Sequence, residues 1–212
     1  MTRWGMIIDL KRCNGCYSCF IACKQENSLP PGIMWNRVVI GESGKYPTVT
    51  KEILPVNCNH CVDAPCVNVC PTGASVKRED GIVTIDYDKC FGCKYCIIAC
   101  PYQQRSFIDA FKQYFPGHDT HFEKRSRDLY QKRVTVKCNF CVERIDAGVK
   151  NGLKPGADRE ATPACVITCP TKARYFGDLD DPNSEVSRLT KQKKAAQLHP
   201  EYRTDPSLYY IK

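Results

Sequence analysis

Residues 85–100 read IDYDKCFGCKYCIIAC, and Pro101 follows them. Three of the cysteines are separated by two residues each, and the fourth comes after three more. This spacing is typical of a chain that binds a [4Fe–4S] cluster, because a tight loop can direct three thiolates at one cubane. The proline turns the chain away, so the fourth thiolate is predicted to bind a neighbouring cluster. One such run therefore implies a partner run.

Three further cysteine runs lie elsewhere in the chain. They comprise a first run (Cys13, Cys16, Cys19, Cys23), a second run (Cys58, Cys61, Cys66, Cys70) and a split fourth run (Cys138, Cys141, Cys165, Cys169), with residues 90–100 as the third. Together the runs use all 16 cysteines and predict four [4Fe–4S] clusters, with iron as the metal. Disulfides would suit a small secreted chain, and structural zinc does not explain three-cysteine runs that end in Cys-Pro.

The composition favours a protein that carries no membrane span or export signal of its own. The formal charge is +8, but an oxidised cubane with its four thiolates carries about −2, so four clusters offset the excess. Nucleic-acid binding is therefore not expected. No stretch approaches the ~18 apolar residues of a membrane span. We expect a cytoplasmic or peripherally membrane-associated protein, or a periplasmic one that is co-exported with a signal-bearing partner.

Internal repetition leaves two ways to pair the runs. The first run matches the third and the second matches the fourth, for example in VNCNHCV (56–62) and VKCNFCV (136–142). In the nested scheme the second run pairs with the third and the first with the fourth. Its four clusters are bound by Cys13, Cys16, Cys19 and Cys169; by Cys23, Cys138, Cys141 and Cys165; by Cys58, Cys61, Cys66 and Cys100; and by Cys70, Cys90, Cys93 and Cys96. The rival scheme pairs first with second and third with fourth; analogy with two-cluster ferredoxins favours the nested one.

The predicted fold class is α+β, with two ferredoxin-like lobes that each hold two clusters, long loops and an extended C-terminal arm. The predicted divisions are an outer lobe (1–49 plus 134–180), an inner lobe (50–103), an insertion (104–133) and a C-terminal helix and arm (181–212). Gly15 and Gly92, each between the first two cysteines of a run, are expected to have positive φ. The tail is expected to lie extended on the surface.

The insertion interrupts the cysteine pattern. Phe107, Phe111, Tyr114 and Phe115 recur at helical spacing. They predict a helix that either covers its own lobe or docks a partner subunit. His118 and His121 are interpreted as solvated loop residues rather than metal ligands.

The chain resembles the iron–sulfur β subunits of the dimethyl sulfoxide reductase family. The resemblance rests on the four runs, on CNHC…APC…CPTGA (58–74), on DPNSEVS (181–187) and on the closing PSLYY (206–210). It implies the nested pairing, with the outer lobe nearest a molybdenum or tungsten pterin catalytic subunit. It also implies that the inner lobe faces a quinone-linked membrane-anchor subunit or another electron acceptor. No cysteine of the pattern is replaced here.

The expected function is therefore single-electron relay, with no catalytic residue in this chain. No nucleophile motif, Gly-rich phosphate loop or open metal site is evident. His60, between two ligands, either tunes its cluster or packs beside it. The alternatives are a freestanding polyferredoxin and an electron-transfer subunit of a hydrogenase or cytochrome system.

Overall fold

The computed structural model describes residues 2–212 and contains ten short strands and seven helices within them. The strands are β1 (Trp4–Asp9), β2 (Asn36–Lys45), β3 (Thr48–Asn57), β4 (Ser75–Lys77), β5 (Val83–Ile85), β6 (Ser106–Ile108), β7 (Val134–Val136), β8 (Arg174–Asp178), β9 (Ala196–Gln197) and β10 (Leu208–Ile211). The helices are α1 (Ser18–Glu26), α2 (Pro65–Asn68), α3 (Tyr95–Ile98), α4 (His121–Leu129), α5 (Val142–Lys150), α6 (Ala164–Ile167) and α7 (Glu185–Gln192). Short 3-10 turns occupy Arg159–Ala161 and Pro200–Tyr202.

A four-stranded sheet joins the two ends of the chain, in the order β8-β1-β10-β9. β1 runs antiparallel to β8 and parallel to β10. Met6, Ile7 and Ile8 are fully buried, as expected for an inner strand covered on both faces. The alternation of apolar residues over 4–10 predicts a strand, and β1 confirms it.

One prediction about the C-terminal tail is wrong. Residues 208–211 were expected to lie on the surface, but they form the inner strand β10, in which Leu208 and Tyr210 are buried. The strand completes the hydrogen bonding of β1 on the side that β8 leaves open. Burial of these apolar side chains therefore outweighs the cost of ordering the tail.

The cysteine runs are held by two pairs of short helices. α2 and α3, from the second and third runs, contact each other beside the β4–β5 hairpin. α1 and α6, from the first and fourth runs, contact each other in the same way. One continuous buried cluster runs through both regions and includes Met6, Ile82 and Phe140.

A long β2–β3 hairpin projects from this core. Its ten paired positions join Asn36 to Asn57 at the base and Lys45 to Thr48 at the tip. The base is buried, whereas Tyr46 at the tip is 93% exposed. The sequence predicts two strands here, at residues 35–40 and 48–56, and both are confirmed; the predicted linker at 41–45 instead continues β2.

The helix predicted across Phe107–Phe115 is wrong. Phe107 lies in strand β6, where it pairs with Thr135 of β7. Pro116 and Gly117 prevent a helix from continuing past Phe115. The helix of this segment is α4, and it begins at Thr120 with a capping box that includes Glu123.

Within residues 2–212, none of the helices has the length and apolar character needed to cross a bilayer.

Candidate iron–sulfur sites

A first cavity is lined by the first three cysteines of the first run and by Cys169 from the far end of the fourth run. The loop after β1 and the start of α1 supply Cys13, Cys16 and Cys19. Gly15 has φ 72°, the positive value that the sequence predicted for this tight loop.

A second cavity is lined by Cys58, Cys61, Cys66 and Cys100. Three of these belong to the second run and one to the third. Burial raises the pKa of Cys61 to about 12, a hydrogen bond from Thr204 opposes the rise, and the thiols of Cys58, Cys66 and Cys100 add to it. The four thiols therefore lie close enough to interact electrostatically.

A third group surrounds Cys23. Burial raises the pKa of Cys23 well above its ordinary value, and the nearby thiols of Cys138, Cys165 and Cys141 add to the rise. All four cysteines are buried. The structure thus brings the last cysteine of the first run to three cysteines of the fourth run.

The remaining cysteines are Cys70, Cys90, Cys93 and Cys96. The contact between α2 and α3 places their two runs side by side. Cys70 Sγ accepts a hydrogen bond from the Ser75 amide at 3.3 Å. Gly92 has φ 82°, which confirms the positive φ expected inside the third loop.

The groups also adjoin one another. Burial raises the pKa of Cys138 to about 12, and Cys58 is the first of the neighbouring thiols that add to the rise. Cys19 likewise adds to the rise that burial causes at Cys165. The group around Cys23 thus adjoins both the first cavity, through Cys165 and Cys19, and the second cavity, through Cys138 and Cys58.

The donor chemistry fits iron–sulfur clusters. All 16 thiols are free. Backbone amides donate to several sulfurs, for example Ala173 to Cys169 at 3.3 Å, and N–H···S bonds of this kind stabilise ligating thiolates. Burial that raises thiol pKa values also means that iron must displace protons when it binds.

Sequence reasoning missed three buried cations beside the cysteines. Arg105 Nη2 donates to Cys66 Sγ at 2.9 Å, Arg174 Nη1 lies 3.8 Å from Cys165 Sγ, and Lys137 Nζ donates to the Cys138 carbonyl at 2.6 Å. A signal was present, since Arg105 and Arg174 each follow the fourth cysteine of a run by five residues. His118 and His121 are both exposed, as predicted, but His121 is the first residue of α4 rather than part of a loop.

Comparison with known proteins identifies the family. Two models described as 4Fe–4S dicluster domains match residues 49–114 and 82–147. The chain is 43% identical to a putative dimethyl sulfoxide reductase iron–sulfur subunit of Halobacterium salinarum, over 100% of this chain and 79% of that protein. It is 40% identical to a selenate reductase subunit of Mesobacillus selenatarsenatis (99% and 72% covered). It is also 40% identical to the arsenate respiratory reductase iron–sulfur subunit of a Shewanella species (99% and 96% covered).

The cysteine geometry and these relatives lead to one assignment. The chain belongs to the family of electron-transferring iron–sulfur subunits of the molybdenum-containing reductases related to dimethyl sulfoxide reductase.

Proposed function

We propose that this chain binds four [4Fe–4S] clusters and relays single electrons between a molybdenum or tungsten pterin catalytic subunit and a second acceptor. The observation that carries the proposal is that each of two cavities is lined by three cysteines of one run and one cysteine of a distant run. A bound cluster supplies reversible one-electron chemistry. The chain supplies the thiolates, directs amides at the sulfurs and excludes water by burial.

The proposed ligand sets are those of the nested scheme. They are cluster 1 (Cys13, Cys16, Cys19, Cys169), cluster 2 (Cys23, Cys138, Cys141, Cys165), cluster 3 (Cys58, Cys61, Cys66, Cys100) and cluster 4 (Cys70, Cys90, Cys93, Cys96). The first and third sets are supported by the shared cavities, and the second by the mutual influence of its thiols. The fourth is supported by the contact between α2 and α3.

The corresponding lobes are also proposals. Residues 1–49 and 134–180 would form the outer lobe with clusters 1 and 2, and residues 50–103 the inner lobe with clusters 3 and 4. Residues 104–133 would be an insertion between the inner lobe and the second part of the outer lobe, and residues 181–212 would form a separate C-terminal segment. The antiparallel pairing of β1 with β8 and the pairing of β4 with β5 support this division.

The proposed partners lie at the two ends of this series. Next to the first run, Ile21 and Tyr17 are exposed apolar side chains; next to the third run, Ile98 (81% exposed), Phe91 and Tyr95 are exposed. Apolar and aromatic side chains at the surface are common in subunit interfaces. We infer that the first patch meets the catalytic subunit and the second meets a quinone-linked membrane subunit or a soluble acceptor. The complex would work in the cytoplasm, at the membrane periphery, or in the periplasm after co-export.

Metal analysis of the native complex tests the partner. The complex should be isolated without oxygen, and iron, molybdenum, tungsten and nickel should be counted per copy of this chain. About 16 iron atoms from this chain, with molybdenum or tungsten in a large subunit, are expected. Nickel would reassign the partner to a hydrogenase, and 16 iron atoms with no partner would indicate a free polyferredoxin.

Paired cysteine substitutions test the ligand sets. In the nested scheme, the double variant Cys16→Ala/Cys169→Ala damages one cluster and leaves three EPR signals intact. In the rival scheme, the same variant damages two clusters. The matched variant Cys16→Ala/Cys70→Ala reverses both expectations, because Cys16 and Cys70 share a cluster only in the rival scheme.

A further inference from the structure

Three cations are buried along the line of cysteine groups. Of the 31 Lys and Arg residues, only Arg105, Lys137 and Arg174 are buried among residues 2–212, and each is at most 6% exposed. A buried charge is costly unless an opposite charge or several hydrogen bonds compensate for it. Their surroundings therefore indicate what each charge compensates.

None of the three has a carboxylate partner within residues 2–212. Arg174 donates to the amide oxygens of Asn36 at 3.0 Å and Asn57 at 3.2 Å, both of which are neutral. Lys137 donates to the carbonyls of Val83 and Cys138. The cysteine sulfurs are thus the available anionic counter-charges.

Arg174 lies between the first and second ligand sets. Its Nη1 lies 3.8 Å from Cys165 Sγ of the second set. The side chain also lines the cavity of the first set. Its charge therefore acts on both sets at once.

Lys137 lies between the second and third sets. Its Nζ donates to the carbonyl of Cys138, a member of the second set, at 2.6 Å and also to the carbonyl of Val83. Val83 lines the cavity of the third set.

Arg105 lies between the third and fourth sets. It lines the cavity of the third set, and its Nη2 donates to Cys66 Sγ at 2.9 Å and to Ser75 Oγ at 2.7 Å. The amide of Ser75 in turn donates to Cys70 Sγ of the fourth set at 3.3 Å. The buried Nη1 has no hydrogen-bond partner among residues 2–212. This guanidinium is oriented at sulfur rather than at a carboxylate.

We propose that Arg174, Lys137 and Arg105 are charge bridges, one at each junction between successive clusters, that raise the reduction potentials of the two clusters flanking each junction. The inference rests on the ligand sets of the proposed function. Reduction adds one negative charge to a site whose nearest fixed countercharge is the buried cation, so the cation favours the reduced form. Burial limits screening by salt, so the effect should persist at high ionic strength.

The test is an EPR-monitored redox titration of the complex, isolated without oxygen, for Arg174→Gln, Lys137→Gln and Arg105→Gln. Signals are assigned with the paired cysteine variants. At a fixed potential, we expect the ratio of reduced to oxidised cluster to fall about tenfold, or about 59 mV for one electron, at the two flanking clusters only. These are clusters 1 and 2 for Arg174, 2 and 3 for Lys137, and 3 and 4 for Arg105. The exposed-residue variants Arg188→Gln and Lys150→Gln are matched controls and should shift nothing.

Two further variants separate charge from packing. Arg174→Lys keeps the charge and should keep the potentials. Asn36→Asp keeps the buried arginine and places a carboxylate against it, so it should lower the potentials of clusters 1 and 2 as Arg174→Gln does. If the Arg174→Gln protein loses iron, the potentials of the Asn36→Asp protein test the proposal in its place.

The outcomes also distinguish this inference from the proposed function. Sixteen iron atoms with unchanged potentials, or an equal shift of all four clusters in every variant, would overturn the charge bridges and leave the relay intact. Fewer than four clusters in the unmodified complex would instead overturn the proposed function.

Discussion

His60 stacks on Phe140, with ring centroids 3.8 Å apart and ring planes 25° apart. The two residues hold equivalent positions in the repeated motifs CNHC (58–61) and CNFC (138–141), so the two copies meet face to face in the middle of the molecule. His60 Nδ1 accepts a hydrogen bond from the Val83 amide at 3.0 Å. Burial, together with the charges of Lys137 and Arg105, lowers the pKa of His60 well below its ordinary value. A neutral ring therefore packs at the junction between the second and third ligand sets.

Phe140→Ala should destabilise this junction. Phe140 is 1% exposed and also packs edge-to-face on Phe176, so truncation leaves a cavity in the continuous core. The expected cost is about 3–5 kcal/mol, which corresponds to a fall of roughly 10 °C in the midpoint of thermal cluster loss. Loss of cluster absorbance during anaerobic heating measures it. Phe115→Ala, at a 61% exposed position, is the control and should change the midpoint little. Equal midpoints for the two variants would contradict a packing role for Phe140.

Gly92→Ala should remove one cluster. Gly92 has φ 82°, and an added Cβ would lie 2.2 Å from the carbonyl oxygen of Arg133. The backbone of Arg133 cannot move aside as the end of a flexible side chain could, so the loop that carries Cys90 and Cys93 must shift. Iron content is expected to fall from about 16 to about 12 atoms per chain. Gly41→Ala is the matched control, since nothing lies within 4 Å of its added Cβ. A Gly92→Ala protein with full iron content would show that the loop tolerates the change.

Leu208→Ala should destabilise the sheet that joins the two chain ends. Leu208 is fully buried in β10, opposite Met6 of β1. The expected cost is about 2–5 kcal/mol, measured as a lower midpoint of anaerobic thermal unfolding. Val49→Ala, near the exposed tip of the hairpin, should cost far less. If the tail were a surface arm, Leu208→Ala and Val49→Ala would have indistinguishable unfolding midpoints.

The wrong prediction for the tail shows that a local sequence pattern carries no information about distant strand partners. The cysteine spacing predicts cluster chemistry because the ligands of one loop are neighbours in sequence. The pairing of Met6 with Leu208 joins residues about two hundred positions apart, and neither strand carries a sign of the other. Periodicity can identify a strand, but it cannot identify a parallel partner strand at the other end of the chain. The apolar residues at the end of the chain were therefore interpreted as a surface arm.

The missed residues follow the same logic. Thr120 to Glu123 has the capping-box pattern that is typical of a helix start, whereas the aromatic spacing at 107–115 does not by itself specify a helix. Arg105 and Arg174 each stand five residues after the fourth cysteine of a run, but that position does not indicate burial, which only the structure shows.

Glu123→Gln should loosen the insertion. One carboxylate oxygen of Glu123 accepts from the Tyr114 amide at 2.6 Å, and the other accepts from the Thr120 hydroxyl at 2.6 Å and amide at 2.8 Å. The hydrogen bonds from Thr120, followed by that from Tyr114, lower the pKa of Glu123. A carboxyl whose pKa is lowered by folding stabilises the fold above its unfolded value of about 4.3, and that contribution is lost as the pH falls through the lower folded value.

Hydrogen exchange over residues 113–124 measures the effect. At pH 7 we expect faster exchange there in Glu123→Gln than in the unmodified chain, with the cysteine loops unchanged. After correction for intrinsic rates, the difference should stay constant from pH 8 to pH 5, because both ends of that range lie above the unfolded pKa. The difference in exchange should shrink only below about pH 4. Exchange at such pH values is measured with short labelling pulses after a pH jump. Glu79→Gln, at an exposed position, serves as the control. A difference that grows on acidification would reverse the sign of the linkage and contradict the ionised capping carboxylate.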